Sequence, residues 1–87
     1  MIRDGVPTAL RFAGLRVVIY PNDRRPAHVH VIGDGHEAVF NLHCPQGPPR
    51  LRENYGFSRQ EVGRIAEVLA ENLAKLCDGW VTIHGTT

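Results

Sequence analysis

Eighty-seven residues make one domain, since cores divide only well above this length; such a chain buries roughly 60 to 65% of its unfolded surface, enough for a sheet and one or two helices. At 43% hydrophobic and 22% charged residues, the composition excludes disorder, collagen-like repeats and low-complexity scaffolds. The net charge of +1 hides an asymmetry: residues 1–52 carry seven arginines against four acids, and arginine's planar fork suits phosphate and carboxylate partners.

Met1-Ile2-Arg3-Asp4-Gly5 begins no apolar signal segment, and no apolar run approaches the ~18 residues that span a bilayer. A soluble cytoplasmic chain with no membrane partner is therefore expected, with residues 1–6 as an N-terminal extension. Thr8–Phe12 and Leu15–Tyr20 are short β-prone runs on either side of Ala13-Gly14 and predict an antiparallel pair. Pro21-Asn22-Asp23-Arg24-Arg25-Pro26 is a loop, because proline withholds donors at both ends and Asn-Asp takes turn geometry.

Ala27-His28-Val29-His30-Val31-Ile32 alternates with period two, and Gly33-Asp34-Gly35 followed by residues 36–43 predicts a hairpin. A two-residue Asp34-Gly35 turn places Val31 opposite Ala38, Val29 opposite Phe40 and Ala27 opposite Leu42, one continuous apolar face. A loop one residue longer would put Glu37 opposite Val31 on that face, so burial selects the shorter turn. The reverse face then carries His28 opposite Asn41 and His30 opposite Val39, with Glu37 and His43 in diagonal reach.

Residues 44–57 are expected to be loop, because three of residues 44–49 are prolines, which deny backbone donors and restrict their predecessors. Phe57-Ser58-Arg59-Gln60-Glu61-Val62 is a complete helix start, with Ser58 as N-cap, Glu61 closing a capping box and Phe57 placed to staple onto Val62. Val62, Ile65, Ala66, Leu69, Leu73 and Leu76 follow at helical spacing on one face. Asp78-Gly79 offers an ending, but Trp80 and Ile83 keep the spacing, so the helix is predicted over residues 58–84, continuous or kinked at Gly79.

Candidate chemistry centres on His28-x-His30. On a strand the two imidazoles project from one face about 7 Å apart at the Cα atoms, a spacing from which both reach one metal ion. His28, His30 and His43 form the candidate metal set, with zinc or nickel as the ion and Glu37 or Asn41 as further donors. His28 and His30 are also the candidate catalytic residues, for acid–base or RNA-cleaving chemistry near neutral pH. The plain alternative is two histidines covering a half-exposed sheet and bonded to Asn41 or Glu37.

Arg24 and Arg25, with Arg11 and Arg16 on the first strands, are placed to grip phosphate, so nucleic acid is a candidate partner. Tyr55, in Asn54-Tyr55-Gly56-Phe57, either packs on the sheet or offers a stacking platform for bases. Glu37 and Asn41 complete the candidate binding set. Cys44 and Cys77 have no C-x-x-C spacing and are too few for a disulfide framework, so reduced thiols are expected. A nucleophilic Cys44 is disfavoured, because adjacent strand residues face opposite ways and His43 is badly placed as its base.

Several segments together, namely Pro7-Thr8-Ala9-Leu10-Arg11-Phe12, Tyr20-Pro21-Asn22-Asp23, Pro26-Ala27-His28-Val29-His30-Val31, Glu37-Ala38-Val39-Phe40 and Asn54-Tyr55-Gly56-Phe57 with the helix to Trp80, resemble the small prokaryotic family known as domain of unknown function 4160. The resemblance runs from about residue 7 to residue 84. Its most specific piece is the proline turn into H-x-H-V, where the family commonly has Pro-Pro-His and this chain has Pro26-Ala27-His28. The resemblance implies a small intracellular bacterial or archaeal protein, encoded beside a second small protein in an arrangement like a toxin–antitoxin module. It brings no assigned catalytic residues, and it implies a tryptophan near the end of the long helix.

The expected architecture is a single α+β domain over residues 1–87, with an antiparallel sheet of about four strands as two hairpins over residues 7–43. One long C-terminal helix packs on the Val29, Val31, Ala38 and Phe40 face. The leading functional expectation is a regulatory or toxin–antitoxin-like component that binds a protein partner, with nucleic acid as a further partner. The rival is a histidine-based or metal-dependent hydrolase resembling a ribonuclease. A single covering helix should leave Val18, Ile32 and Val39 as an apolar patch beside the histidines, predicting a homodimer that weakens as they protonate around pH 5.

Overall fold

The computed structural model describes residues 8–85, so the extension expected at residues 1–6 lies outside it. Two tight turns organise its first four strands. Ala13 and Gly14 adopt φ of 49° and 76° between β1 (Thr8–Phe12) and β2 (Leu15–Val18), and Asp34 and Gly35 adopt 54° and 75° between β3 (His28–Gly33) and β4 (His36–Asn41). Positive φ at both central positions is what a two-residue type I′ hairpin requires. In the second hairpin Val31 opposes Ala38, Val29 opposes Phe40, His30 opposes Val39 and His28 opposes Asn41, as burial of one apolar face demands.

The sheet has five strands rather than four, all antiparallel, in the order β1-β2-β3-β4-β5. Within the expected 44–57 loop, Arg50–Tyr55 forms β5 against β4, which leaves the proline-rich part and Gly56-Phe57 as loop. An edge strand needs no apolar alternation, and charged residues suit an edge because they discourage further pairing. Glu53 opposes Val39 and Leu51 opposes Phe40, a register shift that leaves Arg52 as the extra residue of a β-bulge.

The single helix expected over 58–84 is two helices, α1 (Arg59–Glu71) and α2 (Leu73–His84), broken at Asn72 and not at Gly79. Asn72 Nδ2 donates to the Val68 carbonyl at 2.8 Å while the Asn72 N–H turns to the Leu69 carbonyl at 3.1 Å. Such a side-chain bond competes with the helical ladder and bends it. The apolar spacing runs unbroken through the bend. Gly79 lies within α2 without breaking it, facing Ile19, the residue after β2, whose Cδ1 an added Cβ would meet at an ordinary contact distance of 3.4 Å.

The start of α1 is capped as its residues require. Ser58 Oγ accepts from the Glu61 N–H at 3.1 Å, and Glu61 Oε1 accepts from the Ser58 N–H at 2.7 Å. The bond from the Ser58 backbone N–H, and after it the Ser58 side chain, holds the Glu61 carboxyl below the usual carboxylate range. Both helices cover one face of the sheet, and Val29, Val31, Ala38, Phe40, Ile65, Leu69, Leu76 and Trp80 share one core. No helix among the described residues is long and apolar enough to cross a membrane.

Two expectations fail here. Cys44 and Cys77 are not reduced thiols: their Sγ atoms are bonded at 2.07 Å, tying the proline loop to α2 across 33 residues of sequence. Local spacing is blind to a pair that only the packing of loop against helix brings together. The expected apolar patch is also largely closed to water, since Val18 is 0% and Val39 5% exposed and Ile32 alone of the three is half-buried. Residues 20–26 fold across that face, with the Tyr20 ring 4.7 Å from the His30 ring.

Candidate metal centre

Strand alternation places His28 and His30 together on the face opposite the helices, with ring centroids 5.4 Å apart. The preceding loop brings an acid to them. Asp23 is clipped back on Tyr20 twice, through its N–H to the Tyr20 carbonyl at 3.0 Å and through Oδ2, which accepts from the Tyr20 N–H at 3.1 Å. That clip holds Asp23 Oδ2 at 3.5 Å from His28 Nε2 and 3.2 Å from His30 Nε2. One donor atom from each of the three residues falls within 4.8 Å of the other two.

Hydrogen bonding to the far side of each ring decides what these nitrogens present. His28 Nδ1 lies 2.8 Å from the Pro26 carbonyl, which only accepts, so Nδ1 carries the hydrogen. His30 Nδ1 donates in the same way to Glu37 Oε2 at 3.0 Å. Both Nε2 atoms face the Asp23 carboxylate, and that of His30 lies within hydrogen-bonding distance of both its oxygens, 3.3 Å from Oδ1 and 3.2 Å from Oδ2. Two ring nitrogens and a carboxylate oxygen gathered in this way form a donor set that can hold one cation. Tetrahedral ligands ~2.0–2.1 Å from zinc sit about 3.3 Å from one another, close to both carboxylate–imidazole separations. Pro26 and Glu37 then act as the partners that fix ring orientation in metal–histidine sites.

The triad opens into a cleft of about 500 Å³. Arg24 and Arg25 line one side with Asp23, while Arg52, Glu53 and Tyr55 of β5 line the other. Tyr55 is 61% exposed and donates to Glu53 Oε1 at 2.9 Å, a bond that raises its phenol above the ordinary value. Behind the triad the Trp80 ring lies 5.2 Å from the His28 ring, and the His84 ring stacks on Trp80 at 3.9 Å.

Of the residues singled out from the sequence, His28, His30, Glu37, Arg24, Arg25 and Tyr55 are brought to this cleft. His43 is not: it is exposed, with Nδ1 on the Pro48 carbonyl at 2.9 Å, and Asp23 stands where His43 was expected. Asn41 stays opposite His28, its Oδ1 buried and without a hydrogen-bond partner among the described residues. Asp23 and Arg52 went unrecognised as site residues. An acid five residues before an H-x-H strand, across a proline loop, is a weak signal for Asp23, and no signal in the sequence marks the bulge that carries Arg52.

No curated protein and no solved structure matches the chain. A family model described as domain of unknown function (DUF4160) matches residues 14–81, a span that contains the triad, Glu37, the three cleft arginines and Trp80. Because that span covers most of the 87 residues, the chain belongs to the DUF4160 family of domains of unknown function.

Proposed function

We propose that this protein is a metal-dependent hydrolase-type domain that holds one divalent transition metal, zinc or nickel, on Asp23, His28 and His30. The carrying observation is the convergence of two Nε2 atoms on one carboxylate oxygen while both Nδ1 hydrogens are committed elsewhere. Three protein ligands leave a coordination position for water or substrate, the arrangement of catalytic rather than structural zinc, and the cleft supplies access to it. A divalent metal held by Asp23, His28 and His30 would supply activation of water for hydrolysis.

Elemental analysis of untagged protein tests this. One metal per chain is expected, falling to background in His28→Ala/His30→Ala with the far-ultraviolet circular dichroism spectrum retained. Melting of the metal-free protein should rise on adding zinc or nickel, by about 2.7 kcal/mol of stability at a hundredfold excess over Kd. Wild-type protein free of metal, with melting indifferent to both ions, would overturn the reading.

A second reading, a regulatory or toxin–antitoxin-like component acting through a protein partner, is favoured by the edge of β5, unpaired among the described residues, where Leu51 is 44% exposed and Tyr55 is exposed too. Unpaired strand edges are templates for a further strand. With Val18 and Val39 buried, a homodimer would form through this edge, and its association should be the same at pH 5 and at neutral pH. Light scattering that finds a monomer at all concentrations would rule out self-association.

A further inference from the structure

We infer that the cleft beside the triad binds the phosphate of a nucleotide, free or within single-stranded RNA. The inference deepens the metal reading, on which it rests for one of the contacts to phosphate. Three arginines line the cleft, Arg24 and Arg25 from the loop that supplies Asp23 and Arg52 from β5, and the two loop arginines also line a neighbouring hollow beside His84. Neither Arg24 nor Arg25 forms a salt bridge among the described residues, and Arg52 has only Glu53, at 3.6 Å from Nε. The acids of the cleft have partners other than the loop arginines: Asp23 is a ligand of the proposed metal, Glu37 meets His30 Nδ1, and Glu53 meets Tyr55 and Arg52.

The position of Arg52 is a product of the bulge. With Leu51 opposite Phe40 on the core side and Glu53 opposite Val39 on the histidine side, a regular strand has no place for the residue between them. The extra residue lines the cleft beside Glu53 instead of following the alternation. Bulges recur next to functional sites because they re-aim one side chain in this way.

Charge and shape select phosphate. Three arginines balance the three acids of the cleft, so a bound divalent metal leaves two positive charges uncompensated, which a phosphate monoester dianion would neutralise. A planar carboxylate presents its two oxygens in one plane, which a single bidentate guanidinium matches, whereas tetrahedral phosphate presents oxygens in several directions and can meet a metal and more than one arginine together. Tyr55 adds an exposed aromatic ring at the rim, a surface on which any base can stack. A cleft of about 500 Å³ is of the size that takes a mononucleotide.

Calorimetric titration of the whole chain, with and without one equivalent of zinc, tests the inference using AMP, adenosine, acetate and a hexaadenylate strand. AMP should bind at least about tenfold more tightly than adenosine or acetate, and Arg52→Ala or Arg24→Ala/Arg25→Ala should each weaken it about tenfold, as loss of a charged hydrogen bond does. Arg64→Ala, on the exposed face of α1 beside Glu67, should leave AMP binding unchanged. Hexaadenylate binding tighter than AMP assigns the site to an RNA strand; equal or weaker binding assigns it to the free nucleotide. AMP no better than adenosine or acetate, or arginine variants that bind as wild type does, would overturn the inference, and zinc retained in that experiment would leave the metal reading standing. Arginine-dependent AMP binding by protein that takes up no zinc would sustain the phosphate site and remove the metal.

Discussion

Reduction of the Cys44–Cys77 bridge is expected to lower the free energy of unfolding by about 3 to 4 kcal/mol, and the melting temperature by roughly 15 to 25 °C. The magnitude follows from the loop of 33 residues that the bond closes, because a cross-link removes freedom chiefly from the unfolded chain and more so for a longer loop. A domain this small has about 5 to 10 kcal/mol in total, so one bond carries a large share. The bond also fastens a segment without regular structure, residues 44–49, to the helix that bears Trp80. Circular dichroism melts with and without a phosphine reductant measure the effect, and Cys44→Ala/Cys77→Ala should reproduce the reduced value. Two titratable thiols in native protein that has never met reductant, or a melt that reductant leaves unmoved, would refute it.

That bond marks the boundary of what the sequence could reveal. Features set by neighbours in the chain were legible: the Asp34-Gly35 turn, the register it imposes on His28 and His30, and the Ser58–Glu61 capping box. Each depends on a few adjacent residues whose geometry is nearly forced. Features set by distant packing were not. β5 carries no alternation because it lies at an edge with most of its residues exposed, so Arg-Leu-Arg-Glu-Asn-Tyr looks like loop until β4 stands beside it. Asn72 breaks the helix through its own amide while Leu69, Leu73 and Leu76 keep their spacing across the bend.

The site divides along the same line. Period two along β3 put both imidazoles on one face, but which third residue joined them depended on how a proline-bounded loop folds back. Asp23 wins because its backbone and side chain both clip to Tyr20, the last residue before the loop. His43 loses because it turns, at φ 55°, toward the Pro48 carbonyl.

Trp80→Ala is expected to cost about 3 to 5 kcal/mol, the range for removing a large aromatic from a packed core. Trp80 is fully buried and is the largest side chain in the core, and one of its neighbours is a ligand of the proposed metal, His28, at 5.2 Å between rings. Removing the indole leaves His28 without its supporting wall, so a second effect is expected: metal content should fall in protein that is still folded, since ligands held loosely lose affinity. Trp80→Phe, which keeps an aromatic surface against His28, should lose less stability and retain the metal. Urea denaturation gives the first quantity and elemental analysis the second. Cys77 precedes Trp80 by one turn of α2, so the bridge and the indole seat the same helix and their losses should not simply add. Reduced Trp80→Ala protein, missing both, should have no cooperative melt at all. A Trp80→Ala variant that loses under about 1 kcal/mol would mean that α2 is not seated on the sheet through this residue. One that loses the full amount yet keeps its metal would confine Trp80 to the core and leave Pro26 and Asp23 to hold His28 unaided.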